Sequence, residues 1–512
     1  MSNNTLQDFA RNLNLNAGMS QSEMATEVVK ALGFGAVTTD QSLLTQGGAL
    51  TLPTLDEVIV TMRIEKKDFV RYHSVKATPM DAIMDNWIED YALGGSQGAT
   101  ISDMSGSTKE SGPNYRRRNE FTKFFTTVTS IEKVLVDQKN FMGNLTMQDE
   151  AGYTRIVKEH SWMMWEGGAS QNEYQGVSAV AQDPDRANWD GEHVADLMGN
   201  GYSGLDSNGF SNPADIEVAL HRLSQVIGRP VNGKGTSPFI HMGNAIYKDV
   251  QEYKNFEPVF LQGANAQGVT TGNIITGFAN PYAGEVGEVS ATRIQFDQFM
   301  PDHQIEWDIA PELRNEPEAD SSVPKPTVTA AAANDTESRF STGWDGTYEY
   351  FVVPAGKDVS EQFYYGTAAG LSAAQAVAVG QKVTLTITRA SGGKEDIYLI
   401  FRGERNGAGG LAGARLMDRV PATGGVTVYV DKNRKLPGAS KAYIVDITNP
   451  QVMEYRYLFD PYRLELPINQ KRIFQIPMAI ADSRYLRFKK SRHIGVIVNY
   501  ISAENGFRPR GQ

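Results

Sequence analysis

The stretch nearest to a chemical motif is Gly228-Arg229-Pro230-Val231-Asn232-Gly233-Lys234-Gly235. A phosphate-cradling loop needs a strand before it and a Ser or Thr directly after its Lys, to hold a magnesium ion. Here a helical pattern precedes the segment, Pro230 interrupts it and Gly235 fills the metal-ligand slot, so it reads as a helix stop and a turn. The seven histidines are His73, His160, His193, His221, His241, His303 and His493, and no two stand at i,i+4 or similar ligand spacing. His160 sits on an apolar stripe, where packing is the default. Glu306 and Asp308 read as strand alternation rather than as a general acid and base. There are no cysteines, which excludes disulfides, thiolate metal sites and thiol nucleophiles. The sequence therefore assigns no catalytic residue, cofactor or metal, and the expectation is a chain that is not an enzyme.

Three basic clusters remain. Arg116-Arg117-Arg118 lies in a β-rich segment and reads either as a solvated run or as a contact with a neighbouring chain. Arg487, Lys489, Lys490 and Arg492 lie near the C-terminus and read as a solvated face or as a contact with phosphate or a subunit. Sequence-independent DNA contact needs cations and no motif. Lys432 to Lys435 reads as a hairpin tip.

These residues need elements to position them. Residues 1–50 read as an extended arm carrying one short amphipathic helix, in which Met24, Val28, Val29 and Leu32 recur at helical spacing. Thr51–Met62 and Val70–Ala77 read as strand-like. Residues 85–130 read as a two-stranded ribbon with a polar tip, too long to bury both faces on its own chain. Thr146–Glu166 reads as a long helix with Tyr153, Ile156, Val157, His160, Met163 and Met164 in one stripe, on the order of 30 Å long. Asn212 and Pro213 open another helix, lined by Ile216, Ala219, Leu220, Leu223, Val226 and Ile227. Ser237–Met242 reads as a buried strand and a further helix follows it, which suggests an α/β domain. Pro, Glu and Ser crowd together at Glu316–Pro326. Short β runs then fill the chain to Thr448, and they suggest an inserted β-sandwich. Arg472–Ile476 and Ile494–Tyr500 read as returning strands.

The whole chain has 512 residues, with 49 Lys+Arg against 60 Asp+Glu and a net charge of −11. At about 150 residues per domain this is two to four domains. The acidic balance rules out a general polyanion binder, and an apolar content of 40% rules out wholesale disorder. No signal peptide or membrane-spanning run is visible, so synthesis in the cytoplasm, with no membrane partner, is expected.

This order of elements resembles the major capsid proteins of tailed bacteriophages with the Hong Kong 97-type fold. The segment Tyr115-Arg116-Arg117-Arg118-Asn119-Glu120-Phe121 resembles the end of that family's extended loop. Trp162-Met163-Met164-Trp165-Glu166-Gly167-Gly168 resembles the close of its spine helix. The resemblance implies an α+β fold. Its parts are an N-terminal arm (1–50), peripheral domain (51–84 and 131–210), extended loop (85–130), and axial domain with return strands (211–323). An inserted all-β immunoglobulin-like sandwich (324–449) and a return to the body with a basic tail (450–512) complete it. It further implies self-assembly into hexamers and pentamers of an icosahedral shell around double-stranded DNA, in the virion after assembly in the host cytoplasm. Portal, scaffold or decoration proteins would be partners, and the inserted domain would be displayed outside. Some family members cross-link through a Lys–Asn isopeptide bond. No matching Lys, Asn and Glu set is assigned here, and Lys109 is carried with Arg116, Arg117 and Arg118 as a candidate for inter-subunit contact. The alternatives are an encapsulin-like cellular compartment and a glycan-binding or adhesion protein working through its sandwich.

Overall fold

The structure, a computed structural model, describes residues 65–92, 114–132, 145–169, 172–184, 192–228, 239–255, 277–280, 290–301, 324–357, 363–393, 395–466, 475–503 and 507–511. The expected arm, Lys109 and most of Gly228–Gly235 lie outside the described residues. The chain divides into two units, one of residues 1–63 and 134–144, and one that contains everything described below.

A short helix, Val70–Ser74, comes first. Strand spacing was the expectation there. Instead Phe69, Tyr72 and Val75 are all buried, and a spacing of three brings them to one side of a helical turn, where a strand would send them to alternate faces. Then follow β1 (Ala77–Pro79), β2 (Met84–Ala92), β3 (Asn114–Phe121) and β4 (Lys123–Glu132). The long helix runs Leu145–Glu166. After it come β5 (Val194–Asp196), helix Ala214–Ile227, β6 (Phe239–Met242), helix Asn244–Asn255, β7 (Gly277–Asn280) and β8 (Ser290–Phe296).

Next are β9 (Thr327–Asn334), β10 (Gly346–Tyr348), β11 (Tyr350–Lys357), β12 (Phe363–Tyr365), β13 (Ala369–Gly370), β14 (Gln375–Val377) and β15 (Gln381–Thr388). β16 (Glu395–Gly403), β17 (Ala414–Pro421) and β18 (Val426–Asp431) complete this run of strands. The last strands are β19 (Ser440–Ile444), β20 (Met453–Glu465), β21 (Gln475–Phe488) and β22 (Gly495–Tyr500).

Two sheets build the body. One has the order β1-β20-β21-β4, and the long helix packs on it. Val157, Met163, Met164 and Trp165 of the helix share a core with Tyr443, Met453, Tyr455, Leu486 and Phe488. Position 167, just past the helix, takes glycine for a steric reason, since a Cβ there would stand 2.6 Å from the Tyr174 carbonyl oxygen. The other sheet has the order β5-β22-β19-β6-β8-β7. Helix Ala214–Ile227 covers it, placing Ile216, Ala219, Leu220 and Leu223 against Ile240, Met242, Ile444 and Ile497. Asn212 Oδ1 accepts the Ala214 N–H at the start of that helix, the role its sequence position suggests.

Between these sheets in sequence lies a β-sandwich. Sheet β18-β15-β9 faces sheet β12-β11-β16-β17, and Val383, Leu385 and Ile387 from one meet Tyr350, Val352, Tyr398 and Ile400 from the other. Two expectations change here. β19 pairs with β6 and β22 of the body, so the sandwich strands end at Asp431 rather than running on toward 449. Lys432–Lys435 is accordingly a passage from β18 to the body and not a hairpin tip. The strand order also differs from the immunoglobulin constant type. That type places its first two strands in one sheet, whereas β9 and β10, the first two here, lie in different sheets.

Candidate assembly surface

β2 and β3 pair antiparallel from Met84↔Phe121 to Ala92↔Asn114. Successive side chains in a strand point to opposite faces, so the register sorts the ribbon into two. One face holds Asp85, Trp87 and Glu89 opposite Glu120, Arg118 and Arg116. Its polar groups find partners inside the chain. Arg118 Nε donates to Glu89 Oε2 at 3.0 Å, and Trp87 Nε1 donates to Glu89 Oε1 at 3.1 Å. The other face holds Met84, Asn86 and Ile88 opposite Phe121, Asn119 and Arg117, with Tyr115 beyond them. Its apolar members are open to solvent, with Met84 38% exposed, Phe121 53%, Tyr115 67% and Ile88 70%. The arginine triplet is therefore not one patch. Arg116 and Arg118 lie on the satisfied face, and Arg117 stands exposed beside Ile88.

The root of the ribbon is held by charge. Asp85 accepts from the Tyr485 hydroxyl and from Arg487 Nη1 at 2.9 Å, and Arg456 Nε lies 3.3 Å away. Burial raises the Asp85 carboxyl, but these donors outweigh it and hold the group below its ordinary range. Glu454, 3% exposed, pairs with Arg487 at 3.1 Å and Lys489 at 2.9 Å. Thus Arg487 and Lys489 of the C-terminal cluster are committed to acids of their own chain. Lys490 is exposed, with Nζ 3.4 Å from Gln451 Oε1, and Arg492 is half-buried.

A second open apolar surface lies on the body. Sheet β20-β21-β4 turns one face to the long helix. On the other, register places Leu464, Ala479 and Val128 in one row and Tyr462, Ala481 and Thr126 in the next. Phe124 and Phe459 extend the patch, their ring centroids 6.2 Å apart. Phe124, Val128, Tyr462 and Leu464 are all exposed. The sequence reading missed Ile88, Tyr115, Tyr462 and Leu464. The signal was present as period-two alternation in strands whose second face meets no element among the described residues.

Elsewhere the charges are matched. The cleft between the sandwich and the body, about 520 Å³, is lined by Glu166, Asp418, Arg419, Lys435 and Lys441 among others. There Lys441 pairs with Glu166 at 2.7 Å, Lys435 with Asp418 at 2.6 Å, and Arg419 with Glu173. His160 is fully buried, as its place on the stripe suggests. Its Nε2 lies 3.0 Å from Asp482 Oδ2 and its Nδ1 3.2 Å from the Tyr174 hydroxyl. Burial pulls the His160 imidazole below its ordinary value despite Asp482. No group of metal-ligating side chains occurs among the described residues. The segment Gly94-Gly95-Ser96-Gln97-Gly98 has Gly-x-Ser-x-Gly spacing and lies outside them. The strands that flank it, β2 and β3, pair antiparallel. No helix of the described residues is long and apolar enough to cross a membrane.

No protein-family model and no curated protein matches the chain. Solved structures do. The capsid of an empty GTA particle aligns at a TM-score of 0.42 with 8% identity, over 91% of this chain and 100% of that one. A Mycobacterium phage Bobi structure aligns at 0.40 with 8% identity, over 89% and 97%. The capsid of the Myoviridae phage XM1 aligns at 0.38 with 8% identity, over 88% and 98%. The chain is similar to phage and GTA capsids. An encapsulin from Synechococcus elongatus also aligns, at 0.32 with 8% identity, over 87% and 93%. All these TM-scores lie below 0.5, so the functional reading below stands on the geometry of this chain.

Proposed function

We propose that this protein is a structural shell subunit, a capsid protein whose ribbon lies on neighbouring copies. One observation carries the reading: a hairpin whose Trp87, Glu89 and Arg118 bond to one another on one face leaves Met84, Ile88, Tyr115 and Phe121 open on the other. Large apolar side chains left exposed together on one face mark an interaction site. The open face of β20-β21-β4 offers a second apolar surface of matching character. When both features belong to one chain, the natural partner is another copy. A head-to-tail contact of unlike surfaces closes into rings or extends further, and many modest contacts per subunit add to a stable container. The closed form we propose is an icosahedral shell of hexamers and pentamers enclosing double-stranded DNA, with the sandwich displayed outside. The ionic anchoring of Arg487 and Lys489 supports a structural role for those two members of the C-terminal cluster.

Electron microscopy of the purified full chain tests this. Shells, sheets or capsomer-like rings are expected, and nucleic acid rather than an enzyme inside closed shells separates a capsid from a cargo compartment. A monodisperse monomer at high concentration overturns the reading.

A further inference from the structure

We infer that the sandwich makes its own contact between copies, by antiparallel pairing of β18 with β18 of a second copy. This goes beyond the ribbon contact and rests on different residues.

β18 is an edge strand, since its sheet has the order β18-β15-β9. Its hydrogen-bond phase follows from one bond. Arg389 N–H donates to the Gly425 carbonyl at 2.9 Å, continuing the ladder in which Thr388 faces Val426. In an antiparallel ladder bonded pairs alternate with non-bonded ones. Residues 427, 429 and 431 therefore bond to β15, while Val426, Val428 and Val430 turn their backbone groups outward. Two further bonds agree with this phase. Thr423 Oγ1 donates to the Val426 carbonyl at 2.7 Å, and Arg339 N–H donates to the Lys432 carbonyl at 2.9 Å. Among the described residues no strand pairs with this edge.

Natural edge strands are guarded by lysine, proline or a bulge. Val426-Thr427-Val428-Tyr429-Val430 has none of these. Its outward side chains are apolar as well, with Val426 51% exposed, Val428 58% and Val430 39%. The same face continues into Thr384, Thr386 and Thr388 of β15 and Thr327, Thr329 and Ala331 of β9, row by row and without a charge.

The occupant follows from the sequence of the strand. V-T-V-Y-V reads almost alike in both directions. A two-fold axis through Val428 sets that residue against its own counterpart and Val426 against the counterpart of Val430. All three positions are of the outward-bonding phase, so each finds a bonded partner, and the valines of both copies fall on one face of a continuous six-stranded sheet. A lysine or glutamate in the strand would place like charges near each other under this symmetry, and the strand has neither.

The sandwich is held firmly enough to present such an edge. Arg339, between β9 and β10 of the sandwich, pairs with Asp196 of β5 in the body. From the C-terminal segment, Arg508 N–H donates to Glu404 at 2.8 Å.

The chain's lack of cysteine makes the test direct. Bonded antiparallel partners lie about 5.5 Å apart between Cα atoms, within disulfide range. Under mild oxidation, full-chain Val428→Cys is expected to give at least about tenfold more disulfide-linked dimer than Thr386→Cys, which shares the face but lies one strand in, beyond that range. Equal or absent linkage overturns the inference, as does linkage of Val428→Cys to other proteins and never to itself. The pair is then repeated in an Ile88→Asp background, which disables the ribbon contact. Linkage in either background supports the edge contact whatever becomes of the ribbon reading. Shells that form with no Val428→Cys linkage sink the edge contact alone.

Discussion

The ribbon and the sandwich are both β-structures that stand apart from the two body sheets, and they settle their apolar faces in opposite ways. The sandwich has two sheets, so Val383, Leu385 and Ile387 meet Tyr350, Val352 and Ile400 within one chain. The ribbon has two strands and one layer. It anchors its root through Asp85 and leaves Ile88 and Tyr115 in water. Isolated hairpins are marginal, and this one holds its form through ionic contacts with β20 and β21. The difference shows where self-sufficiency ends: one region carries its core with it, the other depends on a neighbour.

Substitutions can break this contrast, and on the scale of folding stability the largest effect belongs to the sandwich. Arg402 is fully buried, pairs with Asp431 at 2.6 Å and donates to Asn433 at 2.8 Å. Arg402→Ala leaves Asp431 buried and uncompensated, at a cost of about 3–5 kcal/mol, readable as a lower midpoint in urea. An unchanged midpoint would show that the sandwich core does not depend on this pair. Next is the ribbon root. Asp85→Ala removes an acceptor shared by Tyr485 and Arg487 and should cost about 2 kcal/mol, together with faster hydrogen exchange in β2 and β3.

Acid should weaken the body. His241 is buried, and burial holds its imidazole down at about 3 even though Nε2 bonds to the Val445 carbonyl at 3.0 Å; His160 is lowered in the same direction. A lowered folded value means that the unfolded chain takes the proton first. Stability is therefore full above about pH 6.5, the ordinary histidine value, and falls as pH drops below it toward the folded value. Urea midpoints between pH 8 and 4 check this, and His241→Gln should flatten the slope.

The smallest stability effect sharpens the contrast most. Ile88→Asp, at an exposed position, should move stability by no more than about 0.5 kcal/mol and yet abolish assembly. If it unfolds the chain, the ribbon face is packed internally and the contrast fails.

The long helix, the helix opened by Asn212 and Pro213, and the existence of the sandwich were legible because their apolar spacing is regular over many residues. The ends of the sandwich were not. Tyr443–Ile447 follows the other short β runs in sequence, and only the pairing of β19 to β6 and β22 assigns it to the body. β20 was not read as a strand, and of β21 only the start was, within Arg472–Ile476; Pro461 and Pro477 fall within these strands. The ladder accommodates Pro461 at a register shift between Phe459 and Tyr462, where proline is tolerated. The basic clusters were legible as clusters but not as partners: three adjacent arginines divide between two faces, and Arg487 and Lys489 meet acids that lie far away in sequence. The open rows of Val128, Tyr462 and Leu464 depend on which face the long helix covers, and no local pattern states that.

The most direct measurement is sedimentation velocity on the wild-type full chain and on Ile88→Asp at matched concentrations. A shell subunit whose ribbon lies on its neighbours sediments as large assemblies in the wild type and as nothing larger than the folded 56.3 kDa chain or its β18-paired dimer in the variant. A wild-type chain that stays at the monomer position across the concentration range contradicts it.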